Sequence, residues 1–408
     1  MRILVMAQYF PPDIGGASTR VYNIVKGLKK LKHEVTVVAA FPNYPHGKIP
    51  KQYRRKIIEF EKLQNVKVIR VWVPPLPHEG FAKRLLLHLA FMFSTLFALP
   101  VIGKVDIIWA ANPNFFSFYS ALIYSLVKKC PVVRNVDDLW PEAIYDLGWI
   151  KSKILRRIIN FASRITYKLS AAITPVSPGY VKTIVEKYRI NKNKIHVIEV
   201  GVNTEIFHSR NISKDDSKGK FTVMYSGILS IGYDFDIILK AARLLQNNEK
   251  IEFVIRGSGE YASRIKRKIN ELNLKNVKLL VGRLDEHQLT EMLGLADVFL
   301  LPMNPAAAVD DGLPTKIFEY QAFGKPIICA SKGEPARYIR VTESGLIIEP
   351  GNYDALSKAI LSLYENKRLA LDLGSNGWTH VSELLSYEKL GERMLEVFSN
   401  VINHKLAS

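Results

Sequence analysis

The densest run of chemistry-bearing residues in the chain is Asp310-Asp311-Gly312-Leu313-Pro314-Thr315-Lys316-Ile317-Phe318-Glu319-Tyr320-Gln321-Ala322-Phe323-Gly324-Lys325-Pro326. A glycine-containing loop opens a short helix, and Pro326 starts the next strand. Lys316 and Glu319 stand three apart, so a helix carries both on one face at the loop mouth. An ammonium there suits a diphosphate, and a carboxylate suits a ribose diol. The same spacing also makes an ordinary surface ion pair, worth about a few tenths of a kcal/mol. Position at the mouth of a predicted sheet favours the binding role.

Three further groups carry possible chemistry. Gly15-Gly16 follows the first strand and precedes a helix with apolar residues at Val21, Ile24, Val25, Leu28 and Leu31. Glycines there let backbone N–H groups approach a phosphate at a helix N-terminus, or simply make a tight turn. Asp137-Asp138 follows another strand, where two carboxylates could orient or deprotonate a hydroxyl; Asp138 could equally cap the next helix. Asp234-Phe235-Asp236 spells a D-x-D metal-binding pattern, but it directly precedes a helical window, so it reads as helix capping and no metal site is expected.

The elements that must position these groups alternate. Short β-branched runs at 3–7, 35–39, 66–71, 105–109, 132–136, 172–176 and 195–198 interleave with amphipathic helical windows, and the pattern resumes at 221–225, 252–255, 277–281, 297–301, 326–329 and 346–348. Several runs are apolar on both faces, as buried parallel strands are. The expected fold class is therefore α/β, with two doubly wound Rossmann-like domains facing each other across a cleft. We place the first domain at 1–202, a polar linker at 203–220 and the second domain at 221–385. A C-terminal helix over 386–408 is able to cross back to the first domain. No GxGxxG is present, which removes the main support for a dinucleotide-dependent oxidoreductase.

Composition narrows the function classes. The 408 residues hold 57 Lys+Arg against 38 Asp+Glu, a net charge of +19, which favours a polyanionic partner. The basic residues are scattered or mixed with apolar ones, and no nucleic-acid-binding signature occurs, so nucleic acid is not expected as a partner. Cys130 and Cys329 lack metal-ligand or disulfide spacing and read as reduced core thiols of a cytoplasmic protein. From Leu85 to Ile102 the chain is apolar on nearly every face, with Lys83-Arg84 before it. Pro100, His88 and the absence of a second span argue against crossing a membrane. A helix dipping into the headgroup region of an anionic membrane and a buried core helix both remain open, and the net charge favours the membrane surface.

Taken in order, Tyr9-Phe10-Pro11-Pro12, the Gly15-Gly16 turn, Phe41-Pro42-Asn43-Tyr44-Pro45-His46-Gly47-Lys48, Asp138-Leu139-Trp140-Pro141-Glu142, Gly201-Val202-Asn203 and Pro314-Thr315-Lys316-Ile317-Phe318-Glu319-Tyr320 resemble glycosyltransferase family 4. They look most like its WbuB-type branch, which acts in surface-polysaccharide synthesis. The resemblance runs along nearly the whole chain. It implies a GT-B fold, a nucleotide-sugar donor held mainly by the second domain, an acceptor on the first, and transfer with retention and without a bound metal or other cofactor. UDP is the nucleotide it implies.

By the same resemblance, Glu319 is the second glutamate of an E-x7-E pattern and binds the donor ribose; Asp311 occupies the first position as a shorter carboxylate. Gly312, Leu313 and Thr315 belong to the same donor loop, and Arg283 falls in the segment whose backbone meets the donor base. The loop Ser226-Gly227-Ile228-Leu229-Ser230-Ile231-Gly232 lacks the Arg and Lys with which many relatives neutralise the diphosphate. Charge is still required, because the leaving group becomes more negative as the glycosidic bond breaks. Lys316 is the expected replacement, with Arg256 beside it and Gly227 in the loop.

The expected function is thus a retaining glycosyltransferase moving a sugar from a nucleotide-diphosphate donor to a glycan or polyprenyl-diphosphate-linked acceptor, peripheral on the inner face of the cell membrane. A nucleotide-sugar epimerase of the same fold, and a non-catalytic basic protein binding nucleic acid or anionic lipid, are the alternatives. The membrane-like segment speaks against the first, and the Lys316–Glu319 spacing against the second.

Overall fold

A computed structural model describes residues 1–13, 15–44, 47–77, 80–111, 116–146, 148–204, 219–282, 284–305 and 311–407. Most of the linker expected at 203–220, together with Arg283 and Asp310, lies outside the described residues. The chain divides into two compact units, Met1–Gly201 with Tyr387–Ser408, and Val202–Ser386.

The first unit is built on seven strands, β1 (Arg2–Ala7), β2 (Glu34–Ala40), β3 (Ile58–Leu63), β4 (Val66–Val71), β5 (Ile107–Ala110), β6 (Val132–Val136) and β7 (Ala172–Pro175). Their order is β3-β4-β2-β1-β5-β6-β7, parallel apart from the β3–β4 hairpin. Its helices are α1 (Gly16–Lys30), α2 (Phe81–Ser94), α3 (Phe116–Lys128), α4 (Glu142–Asp146), α5 (Lys153–Leu169) and α6 (Gly179–Glu186), and a 3-10 helix, Thr95–Val101, extends α2. Strand β1 is buried from Ile3 to Ala7, as expected for a central strand covered on both faces.

Two sequence expectations need correcting here. Strand β3 was not foreseen: Glu59, Glu61 and Lys62 interrupt its apolar positions because it is a half-exposed edge strand. Conversely, 195–198 is not a strand. It makes a single bridge from Ile195 to Ile173 and ladder-like bonds from His196 and Ile198 to β7, outside the sheet proper.

The second unit has six parallel strands, β8 (Phe221–Ser226), β9 (Ile251–Gly257), β10 (Val277–Val281), β11 (Val298–Pro302), β12 (Ile327–Ala330) and β13 (Gly345–Ile348), in the order β10-β9-β8-β11-β12-β13. Its helices are α7 (Phe235–Leu244), α8 (Ala262–Glu271), α9 (Glu286–Gly294), α10 (Lys316–Ala322), α11 (Glu334–Val341), α12 (Tyr353–Glu365) and α13 (Lys367–Leu384). Strand order reverses between β8 and β11, and the crevice outside the carboxyl ends of such a pair is where doubly wound sheets take ligands. Helix α14 (Tyr387–Ala407) belongs to the first unit and packs on α1, where Gly27 and Gly391 let the helices touch: a Cβ on Gly27 would lie 2.0 Å from the Tyr387 carbonyl oxygen. Cys130 and Cys329 are both buried, and neither forms a disulfide among the described residues.

Candidate functional site

In the second unit the switch point between β8 and β11 gathers the charged residues singled out in the sequence. Strand β8 ends at Ser226 and turns through Gly227; β9 ends in Arg256-Gly257; α10 begins at Lys316. The turns are held backbone to backbone, with Gly227 N–H donating to the Arg256 carbonyl at 3.0 Å and Leu229 N–H to that of Ser258 at 2.9 Å. Contact is so close that a Cβ on Gly257 would lie 1.7 Å from the Gly227 carbonyl oxygen. Only glycine fits there.

Lys316 is buried and does not form the surface ion pair that its spacing to Glu319 allows. Its ammonium donates to the Tyr225 hydroxyl at 2.8 Å and lies 3.6 Å from the centroid of the Tyr233 ring and 4.2 Å from that of Tyr225. Burial lowers its pKa to about 7, against the opposing pull of Glu319. Gly227 completes this box, since a Cβ there would lie 2.6 Å from the Lys316 nitrogen. Lys316 thus reaches the loop that lacks its own cations. The tyrosines that steer it were missed in the sequence; the available signal was Tyr225 and Tyr233 bracketing the glycine loop.

Glu319 is partly buried one turn further on, and burial raises its pKa while Lys316 and Arg256 hold it back. Arg256 is partly buried, and burial lowers its pKa against the pull of Glu319 and the Tyr320 phenol. Its Nε is buried and has no hydrogen-bond partner among the described residues. Two cations therefore flank one carboxylate without closing an ion pair on it, which leaves polar capacity for a ligand carrying phosphate and hydroxyl groups. Tyr320 anchors α10: its hydroxyl accepts from Ser226 N–H and donates to the Ser226 carbonyl, each at 2.9 Å, and its ring stacks on Phe299 at 4.0 Å.

Asp311 is exposed, Gly312 and Thr315 are half-buried, and Leu313 is buried just before α10. A cavity of about 240 Å³ opens behind Tyr233, lined also by Tyr261, Arg264, Lys268 and Asn304. Asp234 caps α7, accepting from Asp236 N–H at 3.0 Å and Ile237 N–H at 3.3 Å, while Asp236 is bound by Arg264 and Lys268. Both acids of the D-x-D pattern are thus engaged in the fold.

In the first unit Gly15 is the N-cap of α1, with a φ of 148° and the Tyr44 ring close beside it. Asp13 ties that turn to the second motif segment: its Oδ1 accepts from Asn43 and Tyr44 N–H, each at 2.9 Å, and burial pushes its carboxyl up to about 6. Asp137 and Asp138, adjacent in sequence, differ in surroundings. Asp137 accepts from the fully buried Arg20 at 2.9 Å, and Arg20 also bonds Asn135 and the carbonyls of Thr174 and Ile198.

Asp138 is open to solvent and makes no side-chain hydrogen bond or ion pair among the described residues, so it does not cap α4. The protein crowded around it, and then Asp137, push its carboxyl up to about 6. In the sequence His88 stands out only as a polar break in the apolar stretch from Leu85 to Ile102. It is buried on α2, pairs with Gln8 at 2.8 Å where β1 ends, and meets Trp140 edge-on at 6.0 Å.

Comparison with known proteins agrees with this architecture. A family model described as Glycosyltransferase Family 4 matches residues 14–206, and one described as Glycosyl transferases group 1 matches 208–380. An uncharacterised glycosyltransferase of Methanocaldococcus jannaschii is 21% identical over 98% of both chains. A GDP-mannose-dependent monoacylated alpha-(1-6)-phosphatidylinositol monomannoside mannosyltransferase of Corynebacterium glutamicum is 29% identical over 40% of this chain, a match that spans 43% of that protein. An N,N'-diacetylbacillosaminyl-diphospho-undecaprenol alpha-1,3-N-acetylgalactosaminyltransferase of Campylobacter jejuni is 24% identical over 72% of this chain and 76% of its own.

Among solved structures, sucrose-phosphate synthase of Thermosynechococcus elongatus superposes with a TM-score of 0.77 at 16% identity over 99% of this chain and all of that one. Anabaena HepE in complex with UDP gives 0.71 at 16% identity over 98% of this chain and all of its own. Fold and matches together define a GT-B glycosyltransferase. The chain joins a Glycosyltransferase Family 4 domain to a glycosyl transferases group 1 domain.

Proposed function

We propose that this glycosyltransferase moves a sugar, with retention at the anomeric carbon, from a UDP-sugar to a glycan or polyprenyl-diphosphate-linked acceptor in surface-polysaccharide synthesis. The observation that carries the reading is the grouping of Lys316, Arg256 and Glu319 at the switch point of the second unit, with an Arg256 Nε that has no partner among the described residues. UDP is supported by the resemblance and by HepE, which was solved with UDP. A lipid-linked acceptor is supported by the name of the Campylobacter jejuni relative.

In this reading Glu319 accepts from the ribose hydroxyls, while Lys316, Arg256 and the amides of the Gly227 loop take the diphosphate. Asp311, Gly312, Leu313, Thr315 and Arg283 complete the donor side. The acceptor oxygen bonds to the anomeric carbon on the face that the diphosphate leaves. The carbon–oxygen bond to the phosphate breaks with its electron pair passing to the phosphate oxygen, and the acceptor proton follows to that oxygen.

Fixed cations at the developing charge lower the barrier most, because they need no reorganisation at the moment of reaction. Burial lowers the Lys316 pKa, and a diphosphate beside it favours the protonated, cationic form. Side-chain cations fill the electrostatic role, so turnover is expected to persist in EDTA. Asp138 orients the acceptor hydroxyl, and Asp137, held by Arg20, positions it.

Ala82–Val101, long and apolar enough to cross a bilayer by length and composition, lies in our reading on the inner surface of the cell membrane. The test is incubation with a panel of UDP-sugars and a polyprenyl-diphosphate sugar, read by product mass. A mass gain of one sugar on the acceptor is expected. An interconverted nucleotide sugar with no acceptor product would favour the epimerase.

A further inference from the structure

Helix α5 carries its polarity inside out. Its inner face is Ser163, Thr166 and Tyr167, with Thr166 accepting from the buried Arg134 and the Arg134 guanidinium stacked 3.6 Å from the Tyr167 ring centroid. Its outer face is apolar: Ile154, Ile158, Phe161 and Leu169 follow one another at helical spacing and are 71%, 59%, 66% and 56% exposed. A soluble helix does the reverse, turning its apolar stripe to the core.

The stripe is not isolated. Right-handed crossovers from β4 to β5, β5 to β6 and β6 to β7 all advance in one direction across the sheet, so α2, α3 and α5 cover the same face. The Tyr119 hydroxyl donates to the Ala162 carbonyl at 3.1 Å and joins α3 to α5, while Lys128 binds the Ile102 carbonyl and joins α3 to the end of the 3-10 helix. Each of these elements exposes large apolar side chains, among them Phe93, Phe97 and Leu126. So large an apolar surface on a folded chain marks a contact site.

Charge decides what it contacts. From Phe81 to Val105, Phe116 to Val136 and Gly148 to Val185 the sequence has no Asp or Glu. Lys153, Arg157 and Lys168 are exposed on α5 without an acidic partner among the described residues. Apolar side chains rimmed by unopposed cations match the acyl boundary and the headgroups of an anionic bilayer. We propose that α5 lies in the plane of an anionic lipid surface, with Ile154, Ile158, Phe161 and Leu169 among the acyl chains and Arg157 and Lys168 at the phosphates. The α2–α3 side of the same face docks with it. This deepens the membrane-surface part of the proposed function by locating the contact on a helix that the sequence had not singled out.

The test is co-sedimentation of the full chain with vesicles of phosphatidylcholine alone and mixed equally with phosphatidylglycerol. The wild type binds the anionic vesicles, and Ile158→Ser with Phe161→Ser weakens binding by about tenfold or more while melting temperature and UDP binding stay unchanged. Arg157→Glu with Lys168→Glu removes the preference for phosphatidylglycerol. Equal vesicle binding by wild type and the α5 variants overturns the proposal. If Phe93→Ser with Phe97→Ser abolishes binding and the α5 variants do not, the membrane reading stands and the α5 assignment falls. If the wild type binds no vesicles, both fall. Should the α5 variants instead only turn a dimer into a monomer in sedimentation velocity, the face is a self-interface and the lipid assignment is wrong.

Discussion

The Lys316 ammonium donates to the Tyr225 hydroxyl at 2.8 Å instead of closing on the Glu319 carboxylate one turn away. A cation held between two tyrosine rings is positioned yet not neutralised, which is the state an anionic ligand needs it in. Tyr225→Phe keeps the ring and removes the hydrogen bond. We expect the donor KM to rise by about three- to tenfold, with loss of stability near 1 kcal/mol, measured by steady-state kinetics and thermal melting.

Because the pKa of Lys316 is lowered to about 7 in the free protein, its charge at pH 8 is mostly lost and a bound diphosphate restores it. UDP binding at pH 8 should therefore take up close to one proton, and at pH 5.5, where the lysine is already protonated, none from this group. Calorimetry in buffers of different ionisation enthalpy measures this. The opposite order, with uptake only at the lower pH, would assign the linkage to another group.

Two glycines separate site from scaffold. A methyl on Gly227 meets the movable end of Lys316 at 2.6 Å, whereas one on Gly257 meets the Gly227 carbonyl oxygen at 1.7 Å. Gly227→Ala should displace the ammonium and weaken UDP binding by about tenfold or more with a modest change in melting temperature. Gly257→Ala should destabilise the second unit by about 2 kcal/mol or more, because backbone must move against backbone.

The adjacent acids should behave differently. Asp137→Ala leaves the buried Arg20 without its carboxylate and should cost about 3 kcal/mol of stability, read by denaturant unfolding. Asp138→Asn should not lower stability, since it removes a carboxylate whose charged form the fold disfavours, and should lower kcat/KM. In the wild type kcat/KM should fall as pH drops through about 6, where the Asp138 carboxylate takes up its proton. Loss of that acid limb in Asp138→Asn is the check.

Much of this was legible in the chain. Parallel strands buried on both faces, such as Ile3–Ala7 and Phe299–Pro302, announce themselves as continuous apolar runs, and the Lys316–Glu319 spacing pointed to the switch point. Edge strand β3 did not, because its exposed face breaks the run with charge. Tyr225 and Tyr233 bracket the glycine loop in the sequence, but their pairing with Lys316 is not legible there: Tyr225 lies 91 positions away, and only the crossing of β8 and α10 brings them together. Helix α5 showed its amphipathic spacing in sequence, but periodicity alone does not say which face turns inward; the Arg134–Tyr167 stack decides it.

The most direct test of the central claim is a crystal structure with UDP bound. A diphosphate oxygen is expected within about 3 Å of both the Lys316 Nζ and the Arg256 guanidinium, with the ribose hydroxyls on Glu319. A nucleotide seated elsewhere, with the Lys316 ammonium still enclosed by Tyr225 and Tyr233 and touching no phosphate, would contradict it.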